Sequence, residues 1–251
     1  KKQRQIELLK EKRSALITQA VTKGLDPSVK MKDSGVEWLS EIPEHWDHQA
    51  LKRVASLVGR IGFRGYSTDD IVDEGEGAIT LSPRNMVQGK LSLDDCTYVS
   101  WEKYNESPEI QIFINDILLV KTGSTYGKVA YVGIAPMEMT VNPQIMVLKE
   151  IKANPRYLYY AVTSRPFHGL LRLLNTGSTI PTMTQEGVGR IHVPMPGRDE
   201  QDGIVEYLDS HSEKIDVLIE RITKSISLLD EHRSSLISEA VTGKLPIGET
   251  S

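Results

Sequence analysis

Apolar side chains recur every three or four positions near both ends of this 251-residue chain, and between the two stretches the rhythm changes. Toward the C-terminus, Ile215, Ile219, Ile222, Ile226, Leu229, Arg233, Leu236 and Ala240 alternate spacings of four and three, the signature of a coiled-coil seam on a helix. Pro196-Gly197 stops whatever precedes, Asp199, Glu200 and Asp202 suit the positive end of a helix dipole, and Gly243 with Pro246 closes the segment. The spacing predicts a helix from about residue 199 to 242, roughly 65 Å long at the helical rise per residue. Such a length exceeds what a compact domain of this size needs for its own core. Near the N-terminus Ile6, Leu9, Arg13, Leu16 and Ala20 follow the same seam, ended by Gly24 and Pro27.

The two seams are copies. Ile6-Glu7-Leu8-Leu9 through Arg13-Ser14-Ala15-Leu16-Ile17 to Ala20-Val21-Thr22 reappears as Ile226-Ser227-Leu228-Leu229 through Arg233-Ser234-Ser235-Leu236-Ile237 to Ala240-Val241-Thr242, at a constant offset of 220. Similarity across so long an insert implies a duplicated unit of globular module plus helix. The chain is then expected to hold one module and the tail of the preceding helix, with the other module upstream of Lys1. Each seam also carries an arginine, which either snorkels or pairs with a carboxylate across an antiparallel partner and so sets register.

Between the helices, short β-type runs are punctuated by Gly, Pro and Asn: 78–81, 110–113, 117–120, 129–132, 144–148 and 191–193. Residues 157–163, after Asn154-Pro155, and 166–174 read as helices. The expected fold class is α+β, a globular module with a mixed sheet and small helices, flanked by long coiled-coil-type helices. Its expected divisions are residues 1–25, the end of one spacer helix; 26–197, the module; and 198–251, the distal helix and tail. Trp38 and Trp46, close to the helix junctions, are expected to be packing anchors and not base-stacking platforms.

Composition narrows the setting. Hydrophobic residues make up 39% and charged residues 25%, so disorder is excluded. One cysteine, Cys96, permits neither an internal disulfide nor a cysteine zinc site, which fits a reducing, cytoplasmic compartment. No apolar run is long enough to span a membrane, and Lys1-Lys2-Gln3-Arg4 leads into no signal core, so the start is expected to be a cut. The net charge of −4 hides a strong alternation: +5 over 1–68, −8 over 69–116, +5 over 117–197 and −6 over 198–251. A polyanion responds to potential within about 10 Å, so two basic blocks folded together can hold phosphates despite the acidic total.

Catalytic signatures fail one by one. Gly123-Ser124-Thr125-Tyr126-Gly127-Lys128 has three residues between its glycines where a phosphate loop has four, and Val129 where that loop places Ser or Thr. A hairpin tip with turn glycines is the better reading. Glu150-Ile151-Lys152 lacks the preceding Pro-Asp of a nuclease metal motif, and the six histidines show no metal-ligand spacing beyond His45 and His48. No glycine fingerprint follows a strand, so no dinucleotide or S-adenosylmethionine domain is expected. Asn142-Pro143-Gln144 shares its first residues with the Asn-Pro-Pro-aromatic motif of amino-methyltransferases but lacks the second Pro and the aromatic. No self-sufficient active site and no metal site are expected.

What remains suits an extended polyanion. Arg60 and Arg64 lie in a Gly-rich stretch, Arg84 and Asn85 follow Ser82-Pro83, and Lys121, Thr122, Ser124, Thr125, Tyr126 and Lys128 surround the turn. Asn175, Thr176, Ser178, Thr179, Thr182 and Gln185 form a second polar run in the same basic block. Arg grips guanine and Asn or Gln grips adenine in the major groove, while Ser, Thr and Lys mostly fix phosphates. Arg84-Asn85, inside the acidic block, reads equally as a turn with a salt bridge.

Several stretches together resemble the DNA specificity subunit of type I restriction-modification systems. They are Ser34-Gly35-Val36-Glu37-Trp38-Leu39 with Ile42-Pro43-Glu44-His45-Trp46, residues 116–124 with Gly127-Lys128-Val129, and Thr176-Gly177-Ser178-Thr179-Ile180-Pro181 leading to Val193-Pro194-Met195-Pro196. Glu200-Gln201 through Ile204-Val205-Glu206-Tyr207-Leu208-Asp209 and the duplicated helices complete the set. The resemblance implies a target recognition domain reading half of a split duplex site, held by helices that pair antiparallel as a spacer, with this chain similar to the second half. It further implies partners: methyltransferase subunits that bind S-adenosylmethionine and methylate adenine, and a restriction subunit that uses ATP and Mg. The chain itself would catalyse nothing and carry no cofactor. A homodimer through the exposed seam is the expected substitute for the absent upstream half.

The runner-up reading is a coiled-coil assembly scaffold whose module binds protein and not DNA. A nucleotide-binding enzyme using the 123–128 loop ranks below it.

Overall fold

The computed structural model describes residues 1–60, 65–174 and 182–242. Helix α1 (Lys2–Lys23) leads to β1 (Met31–Asp33), β2 (Glu41–Pro43), β3 (Asp47–Ala50), the short α2 (Leu51–Val54) and β4 (Ser56–Gly59). Then come β5 (Ile71–Val72), β6 (Gly77–Leu81), β7 (Met86–Val87), β8 (Lys90–Leu91), β9 (Thr97–Ser100), α3 (Trp101–Asn105), β10 (Ile117–Val120) and β11 (Val129–Tyr131). The chain continues through β12 (Met139–Val141), β13 (Ile145–Lys149), α4 (Pro155–Thr163), α5 (Arg165–Leu173), α6 (Gln185–Gly189), β14 (His192–Met195) and α7 (Arg198–Val241). The fold is α+β. Its described residues divide into two compact units, one within Ile17–Glu206 and the other Lys1–Leu16 with the described residues from Tyr207 onward.

In the first unit the central layer is the antiparallel sheet β11-β10-β13-β4. The run Ile117-Leu118-Leu119-Val120 is apolar at every position because both of its faces are covered. Ile117 and Leu119, with Met146 and Leu148 of β13, pack on α2, α4, α5 and α6 through Leu51, Val54, Leu158, Val162, Phe167, Leu171 and Val188. Leu118 and Val120, with Ile145 and Val147, face the opposite way onto Ile79, Leu81, Met139 and Val141 of a second sheet, β12-β6-β9-β5. That sheet is mixed, since β12 runs parallel to β6 while β9 runs antiparallel to both β6 and β5. The module is therefore helices on sheet on sheet, with two cores sharing one strand pair.

Local chemistry explains the element ends. Asn154 caps α4, its side-chain oxygen accepting the backbone N–H of Arg156 at 2.8 Å and of Tyr157 at 3.1 Å, while Pro155 supplies a helix-ready φ. The 110–113 run is a correction: Pro108–Ile110 forms a 3-10 turn, and no ladder follows. Pro108 lacks an N–H and favours the turn, and only Ile112 donates across, to the Met139 carbonyl at 2.9 Å.

The second unit is an antiparallel helix pair. Ile6 of α1 packs on Ile215 and Ile219 of α7, flanked by Leu9, Leu16, Ile222 and Ile226. The seam arginine Arg13 pairs with the Asp216 carboxylate, while Lys1, Lys2 and Gln3 line a groove with Ile226, Leu229 and Asp230, so chain order reverses between the helices. α7 is 44 residues long, and α1 reaches only as far as Asp230 along it. Leu229, where α1 begins, is exposed, and so are the described seam residues beyond it, Arg233, Leu236 and Ala240. Ala20, also expected on the seam, is buried within the first unit instead.

Candidate nucleic-acid interface

Strand register brings several ends to one edge of the module. Val120 pairs with Ile145 and Gly59 with Met146, so Lys121, Gln144 and Arg60 emerge from the sheet at the same edge. Val141 pairs with Leu81 in the other sheet, and Asn142 N–H donates to the Leu81 carbonyl at 2.9 Å, which adds the Asn142–Gln144 turn to the same edge. The turn at 123–127 is the tip of the β10–β11 hairpin, with Gly123 and Gly127 at φ +98° and +82°, a region an L side chain enters only with strain.

The 182–185 segment docks on that edge. Met183 N–H donates to the Lys121 carbonyl at 2.9 Å, and the Thr122 and Thr182 hydroxyls lie 2.9 Å apart. Lys121 Nζ and Gln185 Nε2 both sit 3.3 Å from the point where a side chain on residue 59 would begin, so Gly59 is the clearance that lets them overlie the strand end. Lys121 is half-buried, and no hydrogen-bond or ion-pair partner of its ammonium occurs among the described residues. Loss of solvent draws its pKa below the ordinary lysine value. Ser124, Thr125, Thr182 and Gln185 are exposed around it.

Other residues expected at the interface are engaged internally. Arg60 is only 2% exposed, with Nε donating to the Val141 carbonyl at 3.1 Å and the guanidinium 3.2 Å from Thr140 Oγ1. Asn85, also 2% exposed, accepts from Ser82 N–H at 3.0 Å and donates to the Ser92 carbonyl, closing a turn. Arg84 pairs with Asp95 at 3.4 Å and donates to Thr97, in keeping with the salt-bridged-turn reading. Lys128 gives its ammonium to the Pro83 carbonyl at 2.9 Å, and the Tyr126 hydroxyl donates to the Leu171 carbonyl. Such contacts tie the hairpin to its neighbours and leave the tip for solvent. Arg64, Asn175, Thr176, Ser178 and Thr179 lie outside the described residues.

Sequence reasoning missed Gly59, Asn142 and Gln144. Asn142-Pro143-Gln144 was visible only as an incomplete methyltransferase motif, because its use depends on register with β10. Trp46 is buried and Trp38 packs against the helix-side core, as packing anchors should. Among the described residues no cluster of three or more His, Cys, Asp or Glu is arranged to hold a metal, and no helix is long and apolar enough to cross a membrane.

Residues 86–228, more than half of the chain, match the family model for the type I restriction modification DNA specificity domain. The chain is 24% identical over 251 residues to the type I restriction enzyme MjaVIII specificity subunit of Methanocaldococcus jannaschii, covering 97% of this chain and 56% of that one. Its fold is similar to the HsdS subunit of Thermoanaerobacter tengcongensis, with a TM-score of 0.59 and 14% identity over 97% of this chain and 53% of the other. A chain from a structure of a type I R-M system matches with a TM-score of 0.69 and 13% identity, over 95% of this chain and 53% of its own. The chain thus spans about half the length of the relatives it matches. Matched by that family model over more than half of its length, the chain belongs to the type I restriction modification DNA specificity domain family.

Proposed function

We propose that this chain reads the sequence of duplex DNA through the edge formed by Lys121, Thr122, the 123–127 tip, Gln144, Thr182 and Gln185. The observation that carries the reading is Lys121: a half-buried ammonium that no carboxylate among the described residues pairs, beside a row of amides and hydroxyls. Desolvating a cation is costly unless an anion or electronegative edge returns the lost interaction. A phosphate or the guanine O6/N7 edge does so. Within a complete restriction-modification assembly, the chain would direct adenine methylation by methyltransferase subunits and cutting by a restriction subunit. S-adenosylmethionine, ATP and Mg belong to those partners in this reading, and the chain contributes recognition and no catalysis.

The long α7 supports a spacer role, in which helix length sets the distance between two readers. Its exposed Leu228, Leu229, Leu236 and Ile237 suit pairing with another copy of the chain.

A salt titration on duplex DNA tests the reading. Counterion release makes log affinity fall linearly with log salt, and Lys121→Ala reduces both affinity and slope. A chain that holds no duplex at low salt would be a protein-binding scaffold instead.

A further inference from the structure

Asn142 is 8% exposed and its amide has one allowed orientation. Oδ1 accepts the backbone N–H of Gln144 at 3.0 Å, and since a backbone N–H only donates, the other amide atom is Nδ2. Nδ2 in turn donates to Gln144 Oε1 at 3.1 Å, which turns the Gln144 oxygen toward the module. Gln144 Nε2 is left on the other side, 3.2 Å from where a side chain on residue 123 would begin, over a position that Gly123 keeps bare. The Gln144 carbonyl is itself fixed, accepting Lys121 N–H at 2.8 Å. No partner for Nε2 occurs among the described residues.

A freely rotating glutamine presents oxygen and nitrogen in either order and so suits adenine, which offers the N7 acceptor beside the N6 donor. Held by Asn142, Gln144 presents N–H groups outward, and its neighbour Lys121 presents only N–H groups. Guanine, with O6 and N7 as adjacent acceptors, matches such a surface, whereas adenine sets its N6 donor against donors. We infer that Asn142 locks Gln144 as a donor-only reader and thereby makes guanine the preferred base opposite the β10–β13 edge. The inference rests on the duplex-DNA reading of that edge and adds the base class to it.

The test is selection of binding duplexes from a randomised library by the full chain, followed by 7-deazaguanine substitution in the selected sequence. The wild-type chain is expected to select guanine at one position where removing N7 lowers affinity about tenfold, the size of one well-placed base contact. Gln144→Ala abolishes that dependence while leaving selection elsewhere intact, and Gln144→Glu, an exposed change that substitutes an acceptor, turns preference away from guanine. Asn142→Ala, which frees the amide, lets adenine replace guanine. Adenine at the Gln144-dependent position in the wild type, or a Gln144→Ala loss that is uniform across sequences, overturns the assignment while leaving DNA reading in place. Failure of the wild type to retain any duplex at low salt overturns both.

Discussion

Trp46 donates its indole N–H to Glu200 Oε2 at 2.8 Å, joining the turn after β2 to the first turn of α7. The same oxygen accepts from His45 Nε2 at 2.9 Å, and Gly24, at φ +77°, closes α1 at a position where an added side chain would begin 3.3 Å from the Trp46 ring. Three distant parts of the chain thus meet at one buried indole. Trp46→Phe keeps an aromatic ring but removes the indole donor and part of a buried volume, with an expected loss of about 2–4 kcal/mol in urea unfolding. Gly24→Ala is expected to cost about 1–2 kcal/mol, since it adds a left-handed backbone penalty to a crowded contact. Unaltered unfolding midpoints for both would show the joint to be incidental.

Arg60 and Lys121 lie at the same edge and are expected to separate cleanly. Arg60→Met leaves the Val141 carbonyl and Thr140 without their buried donor and is expected to destabilise the fold by about 2–4 kcal/mol. Lys121→Ala removes a desolvated cation that has no partner among the described residues. Its thermal midpoint should stay level or rise while duplex affinity falls. Calorimetry and a binding isotherm on both variants check the contrast, and it fails if Lys121→Ala is the less stable protein.

His48 and His192 place their Nδ1 atoms 2.8 Å apart across the β3–β14 ladder, a contact that needs one ring to donate and the other to accept. Burial foremost, then His48 and Arg53, draws the His192 pKa below the ordinary histidine value, and burial with Arg172 does the same for His168. A histidine with a depressed folded pKa is protonated more readily in the unfolded chain. It therefore favours folding above the unfolded value of about 6.5 and loses that contribution as pH falls through the folded value. Unfolding free energy is expected to decline more steeply between pH 7 and 5 in the wild type than in His192→Asn. Equal slopes would remove the pair from the acid response.

The uncovered stretch of α7 gives a concentration-dependent expectation. Leu229 is 53% and Leu236 41% exposed on a face whose period is that of a two-helix seam. Sedimentation of the wild-type chain should reveal a dimer at micromolar concentration, and Leu229→Asp with Leu236→Asp should return it to monomer. A monomeric wild type would mean that this face awaits a different helix.

The helix periods were legible because a helix repeats its neighbours every three or four residues, so α4, α5 and α7 follow from local sequence alone. The apolar runs of β10 and β13 were legible for a related reason: burial on both faces leaves no polar alternation to interpret. The 110–113 run misled because apolar composition records burial and not pairing, and Ile110 and Ile112 are buried without a ladder.

Residue chemistry alone does not tell which of the candidate groups the fold engages internally. Arg60, Asn85 and Lys128 carry the right groups for DNA, yet the fold directs those groups to its own carbonyls and hydroxyls. Conversely, Gln144 gained its place from the pairing of Val120 with Ile145 and its orientation from buried Asn142, relationships between strands far apart along the chain. Sequence determined which segments would be helix and strand and that two helices were copies, since those properties depend on near neighbours. Which polar groups face outward was decided by tertiary structure, because each donor bonds the nearest acceptor in space, and only packing determines what is near.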